Sequence, residues 1–222
     1  MTDIDSLKEI FKDKKLLEQA LTHKSWVNEH PGIRGTNERM EFLGDAILEF
    51  VVSKELYLLF PDKEEGYLTT LRANLVNTTN LSVIAKKLNV GEKLFLSKGE
   101  EETGGRNNVS LLADTVEALI GALFLDSGLD TVKLFIETNL LSGINEKLAK
   151  PLKDAKSRLQ EYLQAKGNPA PKYIVAHESG PDHDKIFIVD VITGSKSLGK
   201  GEGKNKAEAE QNAAEKALGS LL

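Results

Sequence analysis

Five carboxylates stand at spacings that could do chemistry. In "NERMEFLGDAILEF", residues 37–50, Glu38, Glu41 and Asp45 fall three and four apart, so on a helix they share one face. Met40, Phe42, Leu43, Ala46, Ile47 and Leu48 fill most of the rest. In "LLADTVEALIGALFLD", Asp114 and Glu117 lie three apart among Leu, Val, Ala and Ile. One acid on an amphipathic helix is ordinarily part of a solvated face. Acids grouped in the two most apolar helices are different, because carboxylates facing an interior are costly unless paired or bound to a cation. A cation should therefore sit between the two helices. Oxygen donors without Cys or His suit Mg²⁺, with Mn²⁺ as a substitute, since both keep several waters and bind substrate phosphates.

Such a site has two chemical readings. A redox di-iron or di-manganese bundle would add Glu-x-x-His pairs, and none of the four histidines has a Glu three residues before it. Metal-assisted hydrolysis of a phosphodiester needs neither a histidine nor a protein nucleophile, which agrees with the residues present.

The elements that must position these acids are helical as far as about Leu148. "SLKEIF", "KKLLEQALTH", the stretch from 37 through "VVSKELYLLF", "YLTTLRANLVNTTNLSVIAKKL", "SLLADTVEALIGALFLD" and "DTVKLFIETNLL" all carry apolar residues near a 3.6 period,. Pro31-Gly32, Pro61-Asp62 and Ser127-Gly128 separate them,. Residues 97–108, "SKGEEETGGRNN", show no period and read as one long loop. Residues 149–153 read as a linker, between an all-α domain at 1–148 and a small α+β domain at 154–222. In the latter the order is α-β-β-β-α: "AKSRLQEYLQAK" helical, "PKYIVAHESG", "DKIFIVDVIT" and "KSLGKGEGK" as strands, and "KAEAEQNAAEKALGSLL" helical,.

The chain has no cysteine, which removes disulfides, thiolate metal sites and a cysteine nucleophile,. With a charged N-terminus and no apolar run of about 20 residues, it is expected in the cytoplasm and not in a membrane. Overall it is acidic, with 29 Lys and Arg against 34 Asp and Glu. The charge is uneven: residues 153–222 hold 11 basic and 10 acidic residues, leaving 18 and 24 in the remainder. A nucleic-acid partner is thus expected at the C-terminal domain.

These motifs resemble those of the ribonuclease III family. "NERMEFLGDAILEF" is similar to its signature, "LLADTVEALIGALFLD" to its second catalytic stretch, and "ALTHKSWVNE" and "GGRNNVSLLAD" to two further blocks in the same order. The C-terminal unit resembles the double-stranded RNA-binding domain of bacterial members. The resemblance covers nearly the whole chain. It implies a ribonuclease III endonuclease fold followed by a double-stranded RNA-binding fold. The metal ligands would be Glu41, Asp45, Asp114 and Glu117, with Asp45 and Glu117 foremost in cleavage, and Glu38 and Glu65 would lie toward the cleavage valley and a partner subunit. His23 and Ser25 match a family block and are read as packing residues. The activity implied is Mg²⁺-dependent cutting of double-stranded RNA to 5′-phosphate and 3′-hydroxyl ends, in processing of ribosomal precursors and other structured transcripts.

Family members are homodimers. The helix of residues 37–50 is apolar nearly all round, so Met40, Phe42 or Leu43 either meet a two-fold copy or serve only the chain's own core. For RNA, Ser157, Gln160, Glu161 and Gln164 form a polar helix face suited to a minor groove,. His183 in "GPDHD" would reach the next minor groove, and Lys200, Lys204 and Lys206 would meet phosphates between. Ala207 stands where a second basic residue is common in the family, and Glu208 and Glu210 add negative charge, so a shallow salt dependence is expected. Arg106 is the expected cation of the long loop, with Asn108 in place of a frequent Lys. The rival function is a non-catalytic RNA-binding protein of the same fold, which would have lost carboxylates that are all present here. A helical metal-storage protein would leave the C-terminal domain unexplained.

Overall fold

The computed structural model describes residues 3–142, 144, 154–181 and 185–221. The chain divides into two compact units, 1–150 and 151–222. The expected linker at 149–153 lies outside the described residues, as does His183.

The first unit is helical: α1 Ile4–Ile10, α2 Lys14–Ala20, α3 Lys24–Glu29, α4 Glu38–Leu59, α5 Glu65–Leu75, α6 Thr78–Lys87, α7 Val90–Lys93, α8 Lys98–Glu102, α9 Val109–Ser127 and α10 Leu129–Ile136. A π-turn, Glu137–Leu141, follows α10. Side-chain caps start most of these helices, from Asp3 for α1 and Asp13 for α2 to Asn77 for α6 and Asn108 for α9, each satisfying an otherwise unpaired N–H. The Asn77 cap also divides the stretch at 67–88, which a continuous apolar period had presented as one segment. Residues 97–108 are likewise more ordered than their lack of period predicts. Ser97 caps the five-residue α8, and a 3₁₀ turn at Gly105–Asn107 follows. Helices this short are too brief to display a repeat.

Helix α9 is the central element, with Leu112, Val116, Leu119, Ile120 and Leu123 buried. It crosses α4 at two glycines. A Cβ on Gly44 would fall 1.8 Å from the Glu117 carbonyl oxygen, and one on Gly121 would fall 2.2 Å from that of Met40. The two backbones therefore touch with no side chain between them. This contact sets the carboxylates of "NERMEFLGD" against those of "LLADTVEAL".

The second unit has α11 Ala155–Ala165, strands β1 Lys172–Ser179, β2 Ile186–Thr193 and β3 Lys196–Gly203, and α12 Lys206–Leu221. The strands form an antiparallel sheet in the order β1-β2-β3. Leu159 and Leu163 of α11, Val189 and Val191 of β2, and Ala209, Ala213 and Ala217 of α12 are buried together. Gly199, Gly201 and Gly203 face α12 so closely that a Cβ on Gly201 would meet the Ala213 nitrogen at 2.1 Å. Alternation along the strand turns the intervening Lys200 and Glu202 to the other face of the sheet.

Candidate metal centre and RNA-facing residues

Glu41 leaves α4 one turn before Gly44, and Glu117 leaves α9 one turn before Gly121. The close crossing brings carboxylate oxygens of Glu41, Asp114 and Glu117 within 4.8 Å of one another. All three side chains are half-buried. Burial pushes the Glu117 carboxyl up to about 7, helped by the negative charges of Asp45, Asp114 and Glu41. Glu41 is raised by burial and then by Asp114 and Glu38. Burial also raises Asp114, against an opposing pull from His23 and Lys24. Three acids that resist losing their protons, held by rigid helices with oxygens converging, form a hard-donor site that a divalent cation would complete.

Asp45 is exposed at the rim, outside the converging group but near enough to act on Glu117. Glu38 is also exposed. It accepts from the Thr36 hydroxyl at 3.1 Å and pairs with Lys24 at 3.5 Å. Glu65 opens α5, accepts from Thr69 at 2.7 Å, and borders a separate, mainly apolar cavity of about 560 Å³ with Tyr57, Phe60 and Leu68. Within one chain it does not join the other acids.

A second cavity, of about 330 Å³, opens beside the cluster and is lined by His23, Lys24, Asn37, Glu38, Glu41 and Asp114, together with Leu111. Sequence reasoning had assigned no site role to its first three residues. His23 was legible as a packing residue, and it does cap α3, accepting from the Ser25 N–H at 3.3 Å. The available signal for Lys24 was its place in the "ALTHKSWVNE" block, which carries no direction in space.

In the second unit, Gln160, Glu161 and Gln164 lie on the exposed side of α11, opposite buried Leu159 and Leu163. Ser157 is half-buried, and its hydroxyl donates to the capping Asp154 at 2.8 Å. Lys204 and Lys206 stand exposed at the start of α12. Lys200 does not join them, because β3 presents it on the sheet face away from α12,. Arg106 is not a free cation either. Its Nη1 donates to the Gly91 and Leu94 carbonyl oxygens at 2.9 and 3.1 Å, and its Nε to Glu101 at 2.7 Å. The guanidinium ties residues 91–106 together, which the loop composition did not disclose.

Residues 13–144 match the model of the family described as Ribonuclease-III-like, and residues 155–221 match the double-stranded RNA binding motif. The chain belongs to the ribonuclease III family. It is therefore an enzyme, a double-strand-specific endoribonuclease, and the non-catalytic rival is set aside. It is 46% identical over 222 residues to Ribonuclease 3 of Natranaerobius thermophilus, covering 99% of this chain and 96% of that protein. Ribonuclease 3 of Geobacillus kaustophilus is 47% identical over 95% of this chain and 86% of its own length. The nuclease domain of ribonuclease III from Campylobacter jejuni aligns with a TM-score of 0.55 at 42% identity, covering 63% of this chain and 97% of that one. A second structure of that domain, described as showing flexibility in a region involved in dimer formation, aligns with a TM-score of 0.56 at 42% identity over 62% of this chain and 98% of that one. No helix among the described residues is long and apolar enough to cross a membrane.

Proposed function

We propose that this ribonuclease III acts as a cytoplasmic homodimer that uses Mg²⁺ to cut double-stranded RNA, leaving 5′-phosphate and 3′-hydroxyl ends, in maturation of ribosomal precursors and other structured transcripts. The observation that carries the reading is the convergence of Glu41, Asp114 and Glu117 within 4.8 Å at the α4–α9 crossing. These three would hold the ion, and Asp45 would complete its surroundings from the rim. When bound, the ion supplies charge neutralisation at the scissile phosphate and an activated water. Glu117 gives up its proton as the site fills, and the helices keep the carboxylates in place for an in-line attack.

The dimer rests on α4. Phe42, Ala46, Phe50 and Tyr57 share one side of that helix and are exposed, Phe42 at 80% and Tyr57 at 71%. A stripe of this kind beside the acids suits a two-fold copy better than water, and Glu65 would then face the partner's half of the valley. RNA would be held by Gln160, Glu161 and Gln164 across a minor groove and by Lys204 and Lys206 at phosphates.

The test is a labelled RNA duplex incubated with the full chain, with Mg²⁺ or with chelator, alongside Glu117→Gln. Metal-dependent cleavage that falls by roughly 10⁴-fold in the variant, the scale on which loss of one acting residue registers, with duplex binding retained, supports the reading. Binding without cleavage by the unmutated chain under Mg²⁺ and Mn²⁺ defeats it.

A further inference from the structure

Lys24 lines the 330 Å³ cavity next to Glu41 and Asp114, and neither the helical pattern nor the carboxylate cluster calls for it. Its backbone is fixed on three sides. The His23 N–H donates to the Phe95 carbonyl at 3.1 Å, the Ser25 hydroxyl lies 2.8 Å from His23 Nδ1, and that same hydroxyl accepts from the Ser97 N–H at 3.1 Å. From this anchored position the ammonium reaches Glu38, with both side chains more than half exposed. An ion pair of that kind contributes little net stability, so a better anion can replace Glu38 at small cost. Burial pushes His23 down, which leaves Lys24 as the permanent cation among the residues lining the cavity.

We infer that Lys24 binds a backbone phosphate of the strand being cut, exchanging Glu38 for the RNA. This rests on the nuclease reading above. A compact ammonium on a flexible stem suits a phosphate oxygen as a point charge. The neighbouring acids would otherwise repel the strand that must approach them. With a divalent ion on Glu41, Asp114 and Glu117, the attraction holding Lys24 toward the acids weakens, and the amine turns to the RNA.

The experiment uses the full chain carrying Glu117→Gln, so that binding is read without cleavage, with a blunt RNA duplex in Mg²⁺ over a range of KCl. Adding Lys24→Met should weaken binding and lower the slope of log K against log salt by about 0.9, one phosphate contact. Lys24→Arg should restore the slope. Adding Glu38→Gln should tighten binding, and that gain should disappear when Lys24 is Met. An unchanged slope in Lys24→Met, with a melting temperature matching its parent, overturns the inference. Strictly additive effects of the two substitutions also overturn the exchange with Glu38. If the unmutated chain cleaves while either result appears, only Lys24 is misassigned; if it binds without cleaving, the nuclease reading itself has failed.

Discussion

Glu117 in the nuclease unit and Asp154 in the RNA-binding unit are both carboxylates near the start of a helix's working face, and their surroundings treat them in opposite ways. Burial and three neighbouring acids push Glu117 up to about 7. Asp154 is held down to about 2 by hydrogen bonds from Gln211 and Ser157. Asp154 ends a helix and ties α11 to α12, and everything around it favours its charge. Glu117 stands where everything around it opposes its charge until a cation arrives. An acid that is satisfied at rest is structural, and one left unsatisfied among others of its kind marks the place where chemistry happens.

The sharpest way to break this contrast is to separate the two helices that create it. Gly44→Ala places a methyl group where the Glu117 carbonyl already stands. Overpacking of that kind costs about 1–3 kcal/mol and displaces Glu41 from Glu117. The expected outcome is a lower melting temperature, loss of cleavage, and a melting temperature that no longer rises with Mg²⁺, while RNA binding by the other unit persists. Thermal melts with and without Mg²⁺ and a gel-shift assay check this.

A milder test moves pH instead of atoms. Glu117 binds its proton more tightly in the folded chain than in the unfolded one. Its contribution to stability is therefore complete below about 4.5 and lost as pH rises through about 7,. Without metal, the protein should lose more melting temperature between pH 5.5 and pH 8 than Glu117→Gln does, and Mg²⁺ should narrow that difference. Below pH 7, filling the site should release a proton, seen calorimetrically as heats that depend on the buffer.

The smallest expected effect belongs to the satisfied acid. Asp154→Asn keeps a capping oxygen but gives up the charge, and loss of a cap is worth about 1 kcal/mol. Asp154 is exposed, so solvent screening limits the electrostatic part. The sign is opposite to that of Glu117: the advantage of the native Asp is present above about pH 4 and fades as pH falls toward 2,. Urea unfolding at pH 7 and pH 2.5 should show the two proteins converging at the lower value.

How much of this was legible in the sequence follows the same division. The period of the helices and the alternation of "DKIFIVDVIT" gave both folds, since those signals come from burial, which composition records directly. The converging acids were legible because carboxylates in apolar helices are anomalous wherever they occur. Arg106 and Lys200 were not. A basic residue in a polar loop looks the same whether it faces phosphate or, as Arg106 does, the carbonyls of Gly91 and Leu94. The face taken by Lys200 depends on which side of β3 the glycines occupy, which became visible only when Gly199, Gly201 and Gly203 met α12. Glu65 lies apart from the other acids because α5 borders a different cavity.

The Gly44–Gly121 contact has a consequence for how this protein can change over time. Where helices are held apart by side chains, their separation drifts whenever a core residue grows or shrinks. Here the main chains rest on each other, so the spacing is set by the radii of backbone atoms, which no substitution elsewhere alters. The surrounding leucines and valines can be exchanged and repacked while the distance between Glu41 and Glu117 stays the same. Two residues with no side chain thus act as a gauge block for the active site, leaving the rest of the core free to vary.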